Sequence, residues 1–470
     1  MAVRQINSVN PATGDVVARF DPTLTGRLST RHLSMHPSRP GRWRSMPVPA
    51  RAGHLKRAAA LLRAERDRLA ALITEEMGKP IAEAEAEIDK SAWCCEYYAT
   101  QGPEQLLHQP VATGAARSHI AFDPLGLVLA VMPWNYPLWQ VFRFAPPALL
   151  SGNGIVLKHA SNVPRCALAI ADIWNRAGCP AGLFTTLLVG PDAVPDLIAD
   201  PRIHALTLTG STEVGSTVAA MAARHLKPQV LELGGSDPFI VLADADIPAA
   251  AAAAVSARML NTGQSCISAK RFIVEEAVAE EFTDAFAAGV AALTVGDPFR
   301  RDVRIGPLAR SSLRDDLVDQ VQRSTAAGAR IVTGGTVLDG PGYFYVPAVL
   351  DQVTPTMAVA AEETFGPVAA VVSAKDCTQA VEIANTTEFG LGAALWTTDL
   401  ERADRLIPGI EAGAVFVNGI VASDPRLPFG GIKRSGYGRE LGVFGLRQFT
   451  NVKSVWIGPA RNEQPYPLSE

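Results

Sequence analysis

The chain is expected to fold as an α/β protein built on parallel sheets, and three observations predict it. Short apolar runs suited to strands alternate with helix-length segments from about Leu127 to Asn418, a pattern that covers a parallel sheet on both faces. The length, 470 residues, exceeds what one core fills, so two or three domains are expected. The composition, 48% apolar and 19% charged, is that of a globular chain.

Taken in order, "INSVNPATGDVVARF" reads as a turn and a short strand. "DPTLTGRLSTRHLSMHPSRPGRWRSMPV" is rich in Arg, His, Ser and Pro, carries neither helical nor strand period, and reads as loop. From Ala50 a helix places Leu55, Leu62 and Leu69 on one face; "GKP" at 78–80 ends it and starts another, running to about Tyr98. "LGLVLAVMPWNYP" is a buried strand followed by a turn that carries Asn135. A helix over 138–150, the strand "GNGIVLK", a helix over 163–177, a strand over 185–190, a helix over 194–199, the strand "HALTLTG" and the helix "STEVGSTVAAMAA" follow, then the strands "QVLELGG" and "PFIVLA". An Ala-rich helix reaches about Leu260, and "RFIVEE", "VAAVVSA" and "AVFVNG" continue the alternation as a second α/β domain. "LPFGGIKRSGYGRE" is a Gly-rich loop and "FTNVKSVWIG" a last strand.

The bulk numbers exclude several classes of function. A net charge of -4 gives no electrostatic reason for a nucleic-acid or anionic-membrane partner. Nothing approaches the unbroken run of about 18 apolar residues that spans a bilayer, and no signal peptide is expected at the N-terminus. The six cysteines form no CxxC pair and the eight histidines are scattered, which predicts no metal site and a reducing compartment, the cytoplasm.

Chemistry is expected where polar residues interrupt apolar patterns. Cys266 ends "NTGQSC", surrounded by turn residues where a core cysteine would have apolar neighbours. Read as a loop-to-helix junction, that position lowers a thiol pKa through backbone N–H groups; nucleophile and packing residue remain equally open from spacing alone. Glu232 in "LELGGSDP" breaks an apolar strand, where a carboxylate is either a satisfied strand-end group or, with its pKa raised, a general base. Asn135 in "MPWNYP" is either a turn residue or an oxyanion donor. No GxGxxG occurs, but "LTGSTEVG" leads a strand into a helix N-terminus that can hold phosphate.

With "NTGQSC", "LELGGSDP", "PWNYP", "LTGSTEVG", "EETFGPV" and "PFGGIKRSGYGRE" all present, the chain resembles the aldehyde dehydrogenase superfamily from roughly Asn10 to its end, in motif order and spacing. Within it, "MPWNYPLWQVFRFAPPAL" and "KHASNVP" are most similar to bacterial NADP-dependent succinate-semialdehyde dehydrogenases. The resemblance implies a parallel-sheet dinucleotide-binding domain (1–104 and 124–236), an α/β catalytic domain (237–434) and a small β oligomerisation extension (105–123 and 435–470). It implies that Cys266 attacks the aldehyde, that Asn135 and the Cys266 backbone N–H hold the oxyanion, and that Glu232 activates the water that hydrolyses the thioester. Trp134, Lys158, Ser161, Gly210, Ser211, Glu363 and Phe365 are the implied cofactor residues.

NAD-preferring relatives usually carry Glu three residues after the strand-end Lys. Here Ser161 stands there, so a 2′-phosphate is not repelled and Lys158 can pair with it; NADP is expected over NAD. Arg143, Ser423 and Arg426 are the implied contacts to a substrate carboxylate. Where some relatives carry a second Arg, six residues before the nucleophile, this chain has Leu260, and Ser268 stands in place of a redox-partner Cys. The implied function is oxidation of a small-molecule aldehyde, foremost succinate semialdehyde, by a homodimer or homotetramer. The alternatives are another short aldehyde with NAD, or a non-catalytic binding protein of the same family. Over 23–42 the chain departs from the Ala- and Val-rich helix of relatives.

Overall fold

The computed structural model describes residues 5–22 and 43–459; the divergent segment 23–42 lies outside them. Three helices, Val48–Ala64, Arg66–Met77 and Ile81–Gln105, turn Leu55, Leu62, Leu69, Ile73 and Ile88 into one buried core. Gly78, at φ 80°, closes the second helix in the left-handed conformation that glycine adopts without steric cost. The third helix runs past its expected end near Tyr98, because Tyr98, Ala99 and Gly102 continue its buried face.

A six-stranded sheet follows, in the order Gly436–Tyr437, Gln229–Glu232, Ile203–Thr209, Leu127–Met132, Gly154–His159, Phe184–Thr186. All its pairs are parallel except the one made by Gly436–Tyr437. From Leu127–Met132 the chain moves outward on one side to Gly154–His159 and Phe184–Thr186. It then crosses to Ile203–Thr209 and Gln229–Glu232 on the other. The strand order therefore reverses at Leu127–Met132, and at such a point the loops leaving the C-terminal strand ends diverge to leave a crevice. The strand expected over 185–190 is shorter than predicted: its pairing with Gly154–His159 stops at Leu157↔Thr186, and Pro191 begins a 3₁₀ turn.

The second sheet has seven strands, in the order Arg330–Thr333, Ala348–Asp351, Val368–Ala374, Ala269–Glu275, Asp237–Val241, Gly392–Trp396, Ala414–Val417. It is parallel apart from its first pair. Phe239, Phe272, Phe282 and Phe286 fill the core against it, with the Phe272 and Phe286 rings 4.6 Å apart. A third sheet joins Gln109–Pro110, Arg117–Pro124 and Thr450–Ile457; the last two pair along their whole length. Among the described residues, no helix is long and apolar enough to cross a membrane.

Candidate active site

The site lies where C-terminal strand ends of the six-stranded sheet meet N-terminal strand ends of the seven-stranded one. From the first come Trp134 and Asn135, just past Leu127–Met132; Gly210 and Ser211, just past Ile203–Thr209; and Glu232, the last residue of Gln229–Glu232. From the second come Cys266, shortly before Ala269–Glu275, and Glu363 and Phe365, before Val368–Ala374.

Cys266 lines two cavities. One, of about 290 Å³, is walled by Tyr136, Trp139, Gln140, Val421 and Phe429, with Lys90, Arg143, Arg304 and Ser423 among its polar residues. The other, of about 240 Å³, is walled by Trp134, Asn135, Gly210, Ser211, Arg310, Glu363 and Phe365.

The thiol is not at a helix N-terminus, which corrects the expectation from sequence. It follows a 3₁₀ turn, Leu260–Gly263, in which Asn261, Thr262 and Gly263 all have positive φ, and it leads into a strand. Cys266 therefore does not stand on the first turn of a helix. Burial pushes the thiol up to about 12, offset in part by the nearby Arg143 and Lys270 charges. The loop is pinned by Lys270, whose Nζ donates to the carbonyls of Ser265, Cys266 and Ser268 at 3.1, 2.9 and 3.1 Å. Arg258 ties it to the Glu363 loop, donating to Ser268 Oγ (2.9 Å), Thr364 O (2.9 Å) and Val368 O (2.6 Å).

Asn135 is buried. Its Nδ2 donates to Gln264 O at 3.1 Å, which leaves the second amide hydrogen without a partner among the described residues. Asn261 Nδ2 donates to Asn135 O at 2.8 Å, so the two loops hold one another. Glu232 is 1% exposed, and neither carboxylate oxygen has a hydrogen-bond partner among the described residues. Burial drives its pKa well up; Arg143 opposes this and Glu440 adds to it. Burial makes this carboxylate, once ionised, a stronger base, and it lies close enough for its charge to act on the thiol. A side chain at Gly430 would come within 2.8 Å of Glu232 Oε1, so that glycine leaves the carboxylate its room.

Glu363 accepts from Gly235 N–H at 3.0 Å and lies 3.9 Å from Lys270 Nζ. Phe365 packs edge-on against Trp134 with ring centroids 5.8 Å apart, and Arg310 lies over Trp134 at 5.4 Å. Ser211 caps the 13-residue helix Thr212–Arg224, its hydroxyl accepting from Val214 N–H, which sets the positive end of that helix at the same cavity. Lys158 and Ser161 lie outside that cavity's wall. They sit at the C-terminal end of the adjacent strand, where Val131 pairs with Lys158 and Met132 with His159. Lys158 is buried, which lowers its pKa, and Ser161 is exposed.

The residues expected to meet the substrate divide. Ser423 is buried and lines the larger cavity. Arg143 also lines it, but its guanidinium is ion-paired with Glu440 and lies 4.5 Å from the Phe429 ring centre. Arg426 is not brought there: it is exposed and pairs with Asp424, two residues away, which corrects its expected role. Sequence reasoning misses Lys90, Arg258 and Lys270. The signal for Lys270 is the one that singles out Glu232, a charge inside an all-buried strand.

A family model described as the aldehyde dehydrogenase family matches residues 2–455. A probable succinate-semialdehyde dehydrogenase [NADP(+)] of Synechocystis is 51% identical over 96% of this chain and 99% of its own length. The succinate-semialdehyde dehydrogenase [NADP(+)] of Mycobacterium avium is 50% identical over 97% and 98%. The crystal structure of succinic semialdehyde dehydrogenase from Streptococcus pyogenes, in complex with NADP+, superposes with a TM-score of 0.93 at 35% identity, over 97% of this chain and 100% of that one.

Proposed function

The chain belongs to the aldehyde dehydrogenase family, and from that premise we propose that it oxidises succinate semialdehyde to succinate with NADP as acceptor. One observation carries the reading: the Cys266 thiol stands on the wall shared by two cavities. One suits a short aldehyde, with apolar walls and cations. The other suits a dinucleotide, with a helix N-terminus at Ser211 for phosphate, the Glu363 carboxylate for ribose hydroxyls and the Trp134–Phe365 pair for a planar ring. Bound there, NADP supplies the hydride acceptor.

The chain's own groups do the rest. Cys266 Sγ bonds to the aldehyde carbon as its proton leaves to Glu232 or solvent. The second Nδ2 hydrogen of Asn135 and the Cys266 backbone N–H receive the oxygen as it gains charge. Once the carbon stands as a thioester, Glu232 takes a proton from water, the water oxygen bonds to the carbon, and the C–S bond breaks as the sulfur takes up the proton held by Glu232, which returns the thiol. Lys158 is the cation for a 2′-phosphate, and Ser161 presents no opposing charge.

The open edge of Thr450–Ile457, with Val452 61% exposed, supports a homodimer or homotetramer. The six unpaired cysteines support a cytoplasmic setting. The three domains belong to the same proposal, with Gly436–Tyr437 pairing onto the six-stranded sheet and Thr450–Ile457 onto the extension. The test is NADPH absorbance with succinate semialdehyde and purified protein: steady production supports the reading, and none from folded protein removes it.

A further inference from the structure

The larger cavity presents a charge imbalance that its expected substrate residues do not resolve. Arg143 has its charge balanced by Glu440. Glu87 is engaged by Lys79 and by the N–H groups of Leu138 and Trp139 at 2.8 and 2.9 Å. Glu83 accepts from Asn261 N–H at 2.6 Å, and Asp424 is paired with Arg426 at 2.6 Å. Arg304 is exposed at the margin. That leaves Lys90, on the helix Ile81–Gln105: a mostly buried cation on the cavity wall with no ion pair among the described residues. Its Nζ donates to Ser423 Oγ at 2.9 Å and lies 4.5 Å from the Trp139 ring centre.

Ser423 completes the arrangement. Its oxygen accepts from Lys90 Nζ and also from Trp139 Nε1 at 3.0 Å, which occupies both lone pairs. A hydroxyl so held can only donate onward, and no acceptor among the described residues takes that proton. An ammonium with hydrogens to spare and a hydroxyl forced to donate thus share one wall. Both demands are met by an anion with two oxygens.

Resting on the substrate reading above, we propose that Lys90 is the specificity-determining residue of this cavity: with the Ser423 hydroxyl it receives the carboxylate of a substrate whose aldehyde carbon lies at Cys266. It thereby supplies the charge that Leu260 does not. Arg143, Glu87, Asp424 and Cys94 are the titratable groups acting on Lys90. Desolvation and Arg143 lower its pKa to about 8, so the ammonium is present at neutral pH and is lost above it.

The experiment compares kcat/KM for succinate semialdehyde with that for butanal, an uncharged aldehyde of the same chain length. In Lys90→Met the ratio is expected to fall by about tenfold or more, mainly through KM for the charged substrate, as a lost charge-assisted hydrogen bond requires. Lys90→Arg is expected to restore much of it. A merely structural role would depress both substrates alike, leaving the ratio unchanged, and that result overturns the assignment. If Lys90→Met does not fold, the unsubstituted enzyme still decides: KM for succinate semialdehyde, relative to butanal, should rise as pH passes about 8, and a flat ratio overturns the proposal. Failure of the unsubstituted enzyme to oxidise succinate semialdehyde at all removes the substrate reading and this proposal together. Turnover with an unchanged ratio removes Lys90 alone.

Discussion

At the scale of single residues, the proposed chemistry turns on a thiol that burial favours in its protonated form. Burial holds Cys266 at about 12, with Arg143 and Lys270 the opposing influences. A group whose pKa is raised is protonated across the neutral range, so the thiolate fraction of the cofactor-free enzyme should grow about tenfold per pH unit. Alkylation of Cys266 by iodoacetamide is therefore expected to keep accelerating from about pH 7 to about pH 10; a plateau below about pH 8 would show a thiol activated in advance. Asn135→Ala removes the proposed side-chain oxyanion donor and should lower kcat about a hundredfold, read in steady-state NADPH production, while alkylation under alkaline conditions is retained. The positions are partly legible in the sequence, since Glu232 breaks an apolar strand, Asn135 sits in the turn that follows one, and Cys266 stands among turn residues. The thiol's electrostatics are not. The turn residues of "NTGQSC" resemble a helix start, whereas in the structure Asn261, Thr262 and Gly263 take positive φ and the chain goes on into a strand.

At the scale of elements, the loop holding the proposed nucleophile is fixed by two buried cations. Arg258 links the Ala-rich helix Ile247–Met259 to Ser268, Thr364 and Val368. Arg258→Met would leave several buried carbonyls unpaired and is expected to cost about 3 kcal/mol, measured by urea unfolding; a loss under about 1 kcal/mol would show the ties to be dispensable. The strand end after Gly154–His159 is the proposed selector of the cofactor. Ser161→Glu places a carboxylate where none stands and should lower the NADP-to-NAD ratio of kcat/KM about tenfold or more by repelling a 2′-phosphate; an unchanged ratio would put the 2′-phosphate elsewhere. The strand–helix alternation makes these elements readable, because each is encoded by its own period. Arg258 and Lys270 are not readable as loop ties, because Arg258 finds Thr364 and Val368 more than a hundred residues away. Arg426 fails for a local reason: Asp424 claims it.

At the scale of the whole molecule, the site exists because two sheets present opposite ends to one cleft. The C-terminal strand ends of one supply Asn135, Ser211 and Glu232, and the N-terminal ends of the other supply Cys266, Glu363 and Phe365. Order along the chain gives no hint of this meeting; it follows from the strand reversal at Leu127–Met132 and the crossing into the second sheet. In the proposed reaction a carbonyl from one cavity bonds to the sulfur while a hydride acceptor occupies the other. Glu232→Gln should block release of the acyl group, so that variant is mixed with NADP and succinate semialdehyde, quenched in acid and mapped by peptide mass spectrometry. A succinyl adduct on the Cys266 peptide, formed with one equivalent of NADPH, is the expected result; an unmodified Cys266 beside a burst of NADPH, or an adduct on another residue, would contradict it.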